Sequence, residues 1–244
     1  MSARYAVYFT PAPHSPWWEA GAHWLGRDEC SDAPLRPGAW QKFAADEWRA
    51  LTAAPRRYGF HATLKAPFRL RAGVSEQALL LRLQDLALTL QPLALGPMQA
   101  SLLGDFVALV PTAPPPELLS LATRCVVELD DLRAPLSEQD LQRRGAASLD
   151  ARGLELLQRY GYTQVLERFR LHLSLSAAID AATAQRVIAA WEKPVAQLNA
   201  ACPLLLDRLC LFVEAGPGQA FFRIADAMLQ PAVRVPVRAQ RVAP

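Results

Sequence analysis

Two short stretches carry the residues best suited to chemistry. Phe60-His61-Ala62-Thr63-Leu64 and Leu171-His172-Leu173-Ser174-Leu175 each read apolar, histidine, apolar, hydroxyl, apolar, and the two histidines lie 111 positions apart. In a β-strand, successive side chains alternate faces. Each segment therefore sets an imidazole and a hydroxyl on one face and fills the other face with hydrophobes. Brought into one cleft, two such strands supply two imidazoles and two hydroxyls. An imidazole titrates near neutrality and serves as acid or base around pH 7. Two of them flanking a phosphorus suit an in-line displacement, one taking a proton from the attacking oxygen and one protonating the leaving oxygen. Thr63 and Ser174, two residues further on, would donate to the non-bridging phosphoryl oxygens. The other two histidines, His14 and His23, lack the frame and read as surface or packing residues.

The elements around the frames repeat. A strand over about 59–65 is followed by a helix from Ser75 to Leu90, with apolar residues at helical spacing and Ser75 as N-cap, then by strands over about 93–102 and 105–110. A strand over 170–176 is followed by a helix over about 181–199 and strands over about 204–214 and 220–228. The interval from His61 to Leu93 equals that from His172 to Leu204, 32 residues in each case. Two diverged β-α-β-β units are expected. Arg4–Phe9 reads as a further strand, and Ser15–Leu25, with Trp17, Trp18 and Trp24, as a short helix whose tryptophans pack in the core. Gln41–Leu51 reads as another helix. Helical segments over about 117–131, 137–144 and 149–160 form a connector. The reading is one α+β domain over 1–230, built as a duplicated bilobal fold. Its lobes centre on the 59–111 and 170–228 units, and its two antiparallel sheets carry outer helices around a central cleft. A tail over 231–244 is expected to hold little fixed structure.

Composition bounds the rest. The 244 residues are 52% hydrophobic, and 26 basic against 23 acidic residues give a net charge of +3. That excess is too small for a dedicated nucleic-acid binder and compatible with a small anionic substrate. Cys30, Cys125, Cys202 and Cys210 have no metal-ligand spacing and read as reduced thiols. The opening residues lack the apolar run of a signal peptide, and no apolar stretch of about 18 residues is free of charge and proline. The expectation is a cytoplasmic monomer with no membrane contact, no cofactor and no metal. Gly216-Pro217-Gly218 reads as a turn between strands and not as a phosphate loop, because no helix follows it.

The paired frames resemble the 2H phosphoesterase superfamily, whose signature is two His-x-Thr/Ser motifs. The longer segment Arg56-Arg57-Tyr58-Gly59-Phe60-His61-Ala62-Thr63-Leu64-Lys65-Ala66-Pro67-Phe68 is similar to a branch of bacterial proteins linked by gene context to phosphonate use. The opening RYAVYF, Trp24-Leu25-Gly26-Arg27-Asp28 and Phe169-Arg170-Leu171-His172 share that likeness. The resemblance implies a metal-independent phosphoric diester hydrolase acting on a small cyclic or 2′-linked phosphate. His61 and His172 would then be its acid and base, and Thr63 and Ser174 its phosphate-binding pair. Four further residues are candidates for substrate contact: Lys65, on the face of His61 by alternation; Tyr58, before the first frame; Arg170, on the face of His172; and Arg133, in a loop. An RNA terminus is a second possible substrate. Two alternatives stand beside the enzyme: a non-catalytic binder of phosphorylated ligands or RNA ends in the same cleft, and a His-ligated metal hydrolase, for which ligand spacing is poor.

Overall fold

Strand β1 (Arg4–Phe9) opens the fold and is followed by α1 (Pro16–Leu25) and α2 (Ala45–Arg56). Next come β2 (Ala62–Phe68), α3 (Glu76–Leu88), β3 (Leu93–Ala94), β4 (Met98–Leu103) and β5 (Phe106–Pro111). Helices α4 (Glu117–Val127), α5 (Glu138–Arg143) and α6 (Ala151–Tyr160) form the connector. The chain closes with β6 (Leu173–Ser174), α7 (Ala181–Ala201), β7 (Leu205–Leu206), β8 (Arg208–Glu214) and β9 (Phe222–Met228). These elements come from a computed structural model that describes residues 3–31, 33–36 and 43–230. The tail over 231–244 and the start of the helix expected from Gln41 lie outside the described residues.

The main sheet is antiparallel with seven strands in the order β4-β5-β6-β2-β1-β8-β9, and β3 pairs with β7 in a separate two-stranded sheet. The expectation of two sheets facing each other across a cleft is thereby corrected. The two motif strands, β2 and β6, are direct neighbours in one continuous sheet. The hairpin β4-β5, which follows the first frame in sequence, extends the sheet beside β6. The hairpin β8-β9, which follows the second frame, lies on the far side of β1.

Alternation divides the sheet into a covered face and an open face. Val7, Phe9, Leu64, Leu109, Leu173 and Leu211 point into one buried cluster with α1, α3, α4 and α7. Trp17, Trp24 and Trp191 are the largest side chains of that core. Burying an indole demands a partner for its N–H, and Trp24 donates to the Leu175 carbonyl at 2.7 Å, tying α1 to the second frame. Ala6, Tyr8, Cys210, Phe212 and Phe221 occupy the opposite face in a smaller cluster. The helices stop where the chain requires: Ser15, Ser75 and Asp180 cap α1, α3 and α7 with their side-chain oxygens, and Gly26 ends α1 in the left-handed region at φ 72°. No helix among the described residues is long and apolar enough to cross a membrane.

Several expected strands are shorter than alternation suggests. Gly96, at φ 72° and followed by Pro97, divides the run from residue 93 into β3 and β4. The second motif strand covers only Leu173–Ser174 as ladder. Beyond it Leu175 and Ser176 both donate their N–H to the Val107 carbonyl, and the Ser176 hydroxyl accepts from Val107 N–H, so side chain replaces backbone in the pairing.

Candidate functional site

The pairing of β2 with β6 builds the site. Ala62 lies directly opposite Leu173, and both are fully buried in the core. Continuing that antiparallel register by one residue each way sets His61 across from Ser174 and Thr63 across from His172. All four side chains then point to the open face, with directly opposed Cβ atoms about 4.5–5.5 Å apart. His61, Thr63 and Ser174 line a cavity of about 430 Å³. His172 lines an adjoining cavity of about 340 Å³. Thr63, Ala66, Phe106 and Tyr162 border both, so the two are chambers of one groove.

Both imidazoles are held in the same way. His61 Nδ1 lies 2.9 Å from the Gly59 carbonyl and His172 Nδ1 lies 2.8 Å from the Arg170 carbonyl. A carbonyl only accepts, so each Nδ1 carries the proton and each Nε2 is left as the acceptor of the neutral ring. The Thr63 hydroxyl is 3.4 Å from His61 Nε2.

The surroundings of the two rings differ. The ring of Tyr8 stands 4.0 Å from that of His61, centroid to centroid, and those of Tyr58 and Phe212 at 5.6 and 6.5 Å. Burial pushes the His61 pKa down to about 4, and the neighbouring His172 adds to the shift while the Gly59 carbonyl opposes it. His61 is therefore a neutral acceptor at pH 7. Burial also pushes the Tyr8 phenol well above its ordinary value, so it stays a neutral donor.

Among the candidates for substrate contact, Tyr58 lines the His61 chamber and stacks on Phe221 at 5.0 Å. Arg170 lines the His172 chamber and is exposed. Lys65 and Arg133 stand elsewhere. A β-bulge accounts for Lys65: Tyr8 pairs with Thr63 but Val7 pairs with Lys65, so one step along β1 spans two along β2. Thr63 and Lys65 consequently lie on opposite faces. The Lys65 ammonium is buried under α4, donating to Val126 O at 2.9 Å and pairing with Asp130 at 3.0 Å. Arg133 grips the same Asp130 with two nitrogens, at 2.8 and 3.1 Å, and donates to Arg159 O, holding the connector together.

Among the groove residues that the sequence reading does not place in the site are Arg4, Asp105, Arg144, Tyr162 and Ser176. Ser176 continues the alternation from His172 and Ser174 and was within reach of that rule. Arg4, Arg144 and Tyr162 arrive through the packing of β1 and the connector, which no local spacing signals.

A family model described as "Protein of unknown function (DUF1045)" matches residues 63–222, more than half of the chain. The chain belongs to this family. It is also similar to two curated bacterial proteins, each named ribose 1,5-bisphosphate phosphokinase PhnN. The one from Janthinobacterium sp. (strain Marseille) is 42% identical over 221 residues, which are 89% of this chain and 49% of the relative. The one from Laribacter hongkongensis (strain HLHK9) is 38% identical over 220 residues, which are 89% of this chain and 50% of the relative. The chain thus spans about half the length of these relatives. Their names overturn the expectation of a phosphoric diester hydrolase, because both are named for a kinase.

Proposed function

We propose that this chain binds a phosphorylated ribose in the groove and serves the sugar-phosphate side of the phosphoryl transfer for which its relatives are named. The observation that carries the reading is the pair of imidazoles on one sheet face, each with Nδ1 tied to a backbone carbonyl and Nε2 left to act. Thr63, Ser174 and the neutral Tyr8 phenol are donors suited to phosphate oxygens. His61 Nε2 is suited to accept the proton of a hydroxyl. Where the accepting oxygen is a hydroxyl, it gives up its proton as the new P–O bond forms, whereas a phosphate dianion has none to give. His61 and His172 are the pair assigned to take and return such protons, a role worth on the order of 10²–10⁴ in rate for each well-placed group. Tyr58 is assigned to the sugar and Arg170 to the edge of the second chamber.

Two further features support the reading. The element order β2-α3-β3-β4-β5 recurs as β6-α7-β7-β8-β9, consistent with two related halves that each contribute one frame. The likeness to phosphonate-linked bacterial proteins agrees with the PhnN names of the relatives. The half of those relatives that lies outside the match is assigned the nucleotide side, since Gly216-Pro217-Gly218 joins two strands and is not a phosphate-cradling loop.

Isothermal titration with ribose 5-phosphate and ribose 1,5-bisphosphate tests the proposal. Saturable binding of either at millimolar concentration or below is expected, weakened about tenfold or more by the double change His61→Ala and His172→Ala. Absence of saturable binding to the unaltered chain overturns it.

A further inference from the structure

The His61 chamber is also lined by two arginines, Arg4 and Arg144, and by one carboxylate, Asp105, that the histidine frames do not use. Arg144 follows the short helix α5 and lines the same chamber as His61, Thr63 and Ser174. A guanidinium carries five N–H donors. The contact of Arg144 is a donation to the Pro67 carbonyl at 3.3 Å, and among the described residues no carboxylate lies within ion-pair distance of it. Asp140, one turn back, is already engaged by Arg69 at 2.9 Å, Arg143 at 2.5 Å and the Ser137 hydroxyl at 2.8 Å. The contrast with neighbouring cations is direct: Arg69, Arg133 and Lys65 are all carboxylate-paired.

Arg4 lines the chamber as well. Its Nε is held by Glu214 at 2.5 Å, and Glu214 also binds Arg57. Burial holds the Arg144 pKa below its ordinary value; the nearby Asp140 carboxylate opposes that shift and the charge of Arg4 adds to it. Two guanidinium groups therefore line one cavity, Arg4 paired with Glu214 and Arg144 with no ion-pair partner of its own among the described residues. An anion bound there would give Arg144 the charge partner it lacks, and the planar fork of arginine matches a phosphate monoester. Tyr162, which borders both chambers, adds a phenol that burial keeps neutral and donating.

We propose that Arg144, with Arg4 beside it, forms a second anion subsite, so that the groove takes a pentose bearing two phosphate monoesters. One phosphate sits at the histidine–hydroxyl frames and the other at Arg144. This assignment rests on the phosphorylated-ribose reading above and adds the residue that counts the phosphates.

The test is the preference for ribose 1,5-bisphosphate over ribose 5-phosphate, measured by titration calorimetry on four forms of the chain. Unaltered protein is expected to favour the bisphosphate by about tenfold or more, the usual scale of a charge-assisted contact. Arg144→Gln brings the preference to within about twofold of unity. Arg144→Lys retains part of it, which shows that the site still folds. Arg82→Gln, a change at an exposed pair with Asp131, leaves it intact. An unchanged preference in Arg144→Gln, or no preference in the unaltered chain, overturns the subsite and leaves the ribose-phosphate reading standing. Failure of both ligands to bind the unaltered chain overturns that reading, and the subsite falls with it.

Discussion

The two histidine frames share a backbone device and differ in what encloses it. Each imidazole hangs from the carbonyl two residues earlier, at 2.9 Å for His61 and 2.8 Å for His172. His61 is boxed in by Tyr8, Tyr58 and Phe212. His172 has Phe106 at 5.6 Å and the exposed Arg170 beside it. One motif thus yields two different groups: a desolvated acceptor in a rigid aromatic box, and a ring at the mouth of the adjoining chamber. The environment, more than the motif, decides what each imidazole does, because desolvation acts on the charged form alone.

The largest break in this comparison should come at the residues supplying the two carbonyls. Gly59 has φ 80°, and a Cβ there would lie 2.7 Å from Cβ of the fully buried Glu29. Glu29 is itself fixed by Trp18, whose indole donates to it at 2.7 Å. Gly59→Ala therefore combines left-handed strain with overpacking, for a loss of about 2–5 kcal/mol. Arg170→Ala at the matching position, exposed and backbone-anchored, should cost less than about 0.5 kcal/mol. Urea unfolding of the two variants checks the contrast, and equal losses would show that the frames are not differently supported.

The second break uses acid. His61 has a folded pKa of about 4, below the value near 6.5 that the unfolded chain would show. Its neutral burial costs nothing above pH 6.5. As pH falls from there toward 4, the unfolded state binds a proton that the folded state refuses, and stability is lost. The loss is at most about 3 kcal/mol. His61→Gln should remove this component, so the two stability curves converge between pH 7 and pH 4.5. Parallel curves over that range would place His61 in water, outside the aromatic box.

Position 65 shows what could be read from the chain and what could not. Alternation set His61 with Thr63 and His172 with Ser174 correctly, because a period of two is a local property of the backbone. The same rule carried on to Lys65 and failed, while at Ser176, its counterpart 111 positions later, the side chain does line the groove. The difference is the bulge in β2, which depends on how β1 pairs with it and leaves no local signature. The single continuous sheet was likewise illegible, since which hairpin lies beside which motif strand is settled by long-range pairing. Arg144 sits in a connector helix whose place over the groove has no periodic signal. If the bulge turns Lys65 into a structural cation, Lys65→Met should lower stability by about 1–2 kcal/mol. The cost stays modest because Asp130 keeps its two-nitrogen grip from Arg133. Affinity for ribose 5-phosphate should stay within about twofold, and a tenfold loss would return Lys65 to the groove.

The smallest expected effect separates the two hydroxyls. The Thr63 hydroxyl lies 3.4 Å from His61 Nε2, which as the unprotonated ring nitrogen accepts from it. A phosphate oxygen binding at Thr63 must compete with that contact, so part of its gain is offset by the bond it replaces. The Ser174 hydroxyl carries no such contact among the described residues, and its donation to a ligand is offset only by loss of water. A net hydrogen bond is worth about 0.5–1.5 kcal/mol, so Ser174→Ala should weaken ribose 5-phosphate by about threefold to tenfold. Thr63→Val should weaken it by less, near twofold, because it also frees His61 Nε2 to meet the ligand. Calorimetric titration of both variants ranks them, and a larger loss at Thr63 than at Ser174 would mean that the Thr63 contact with His61 does not compete with the phosphate.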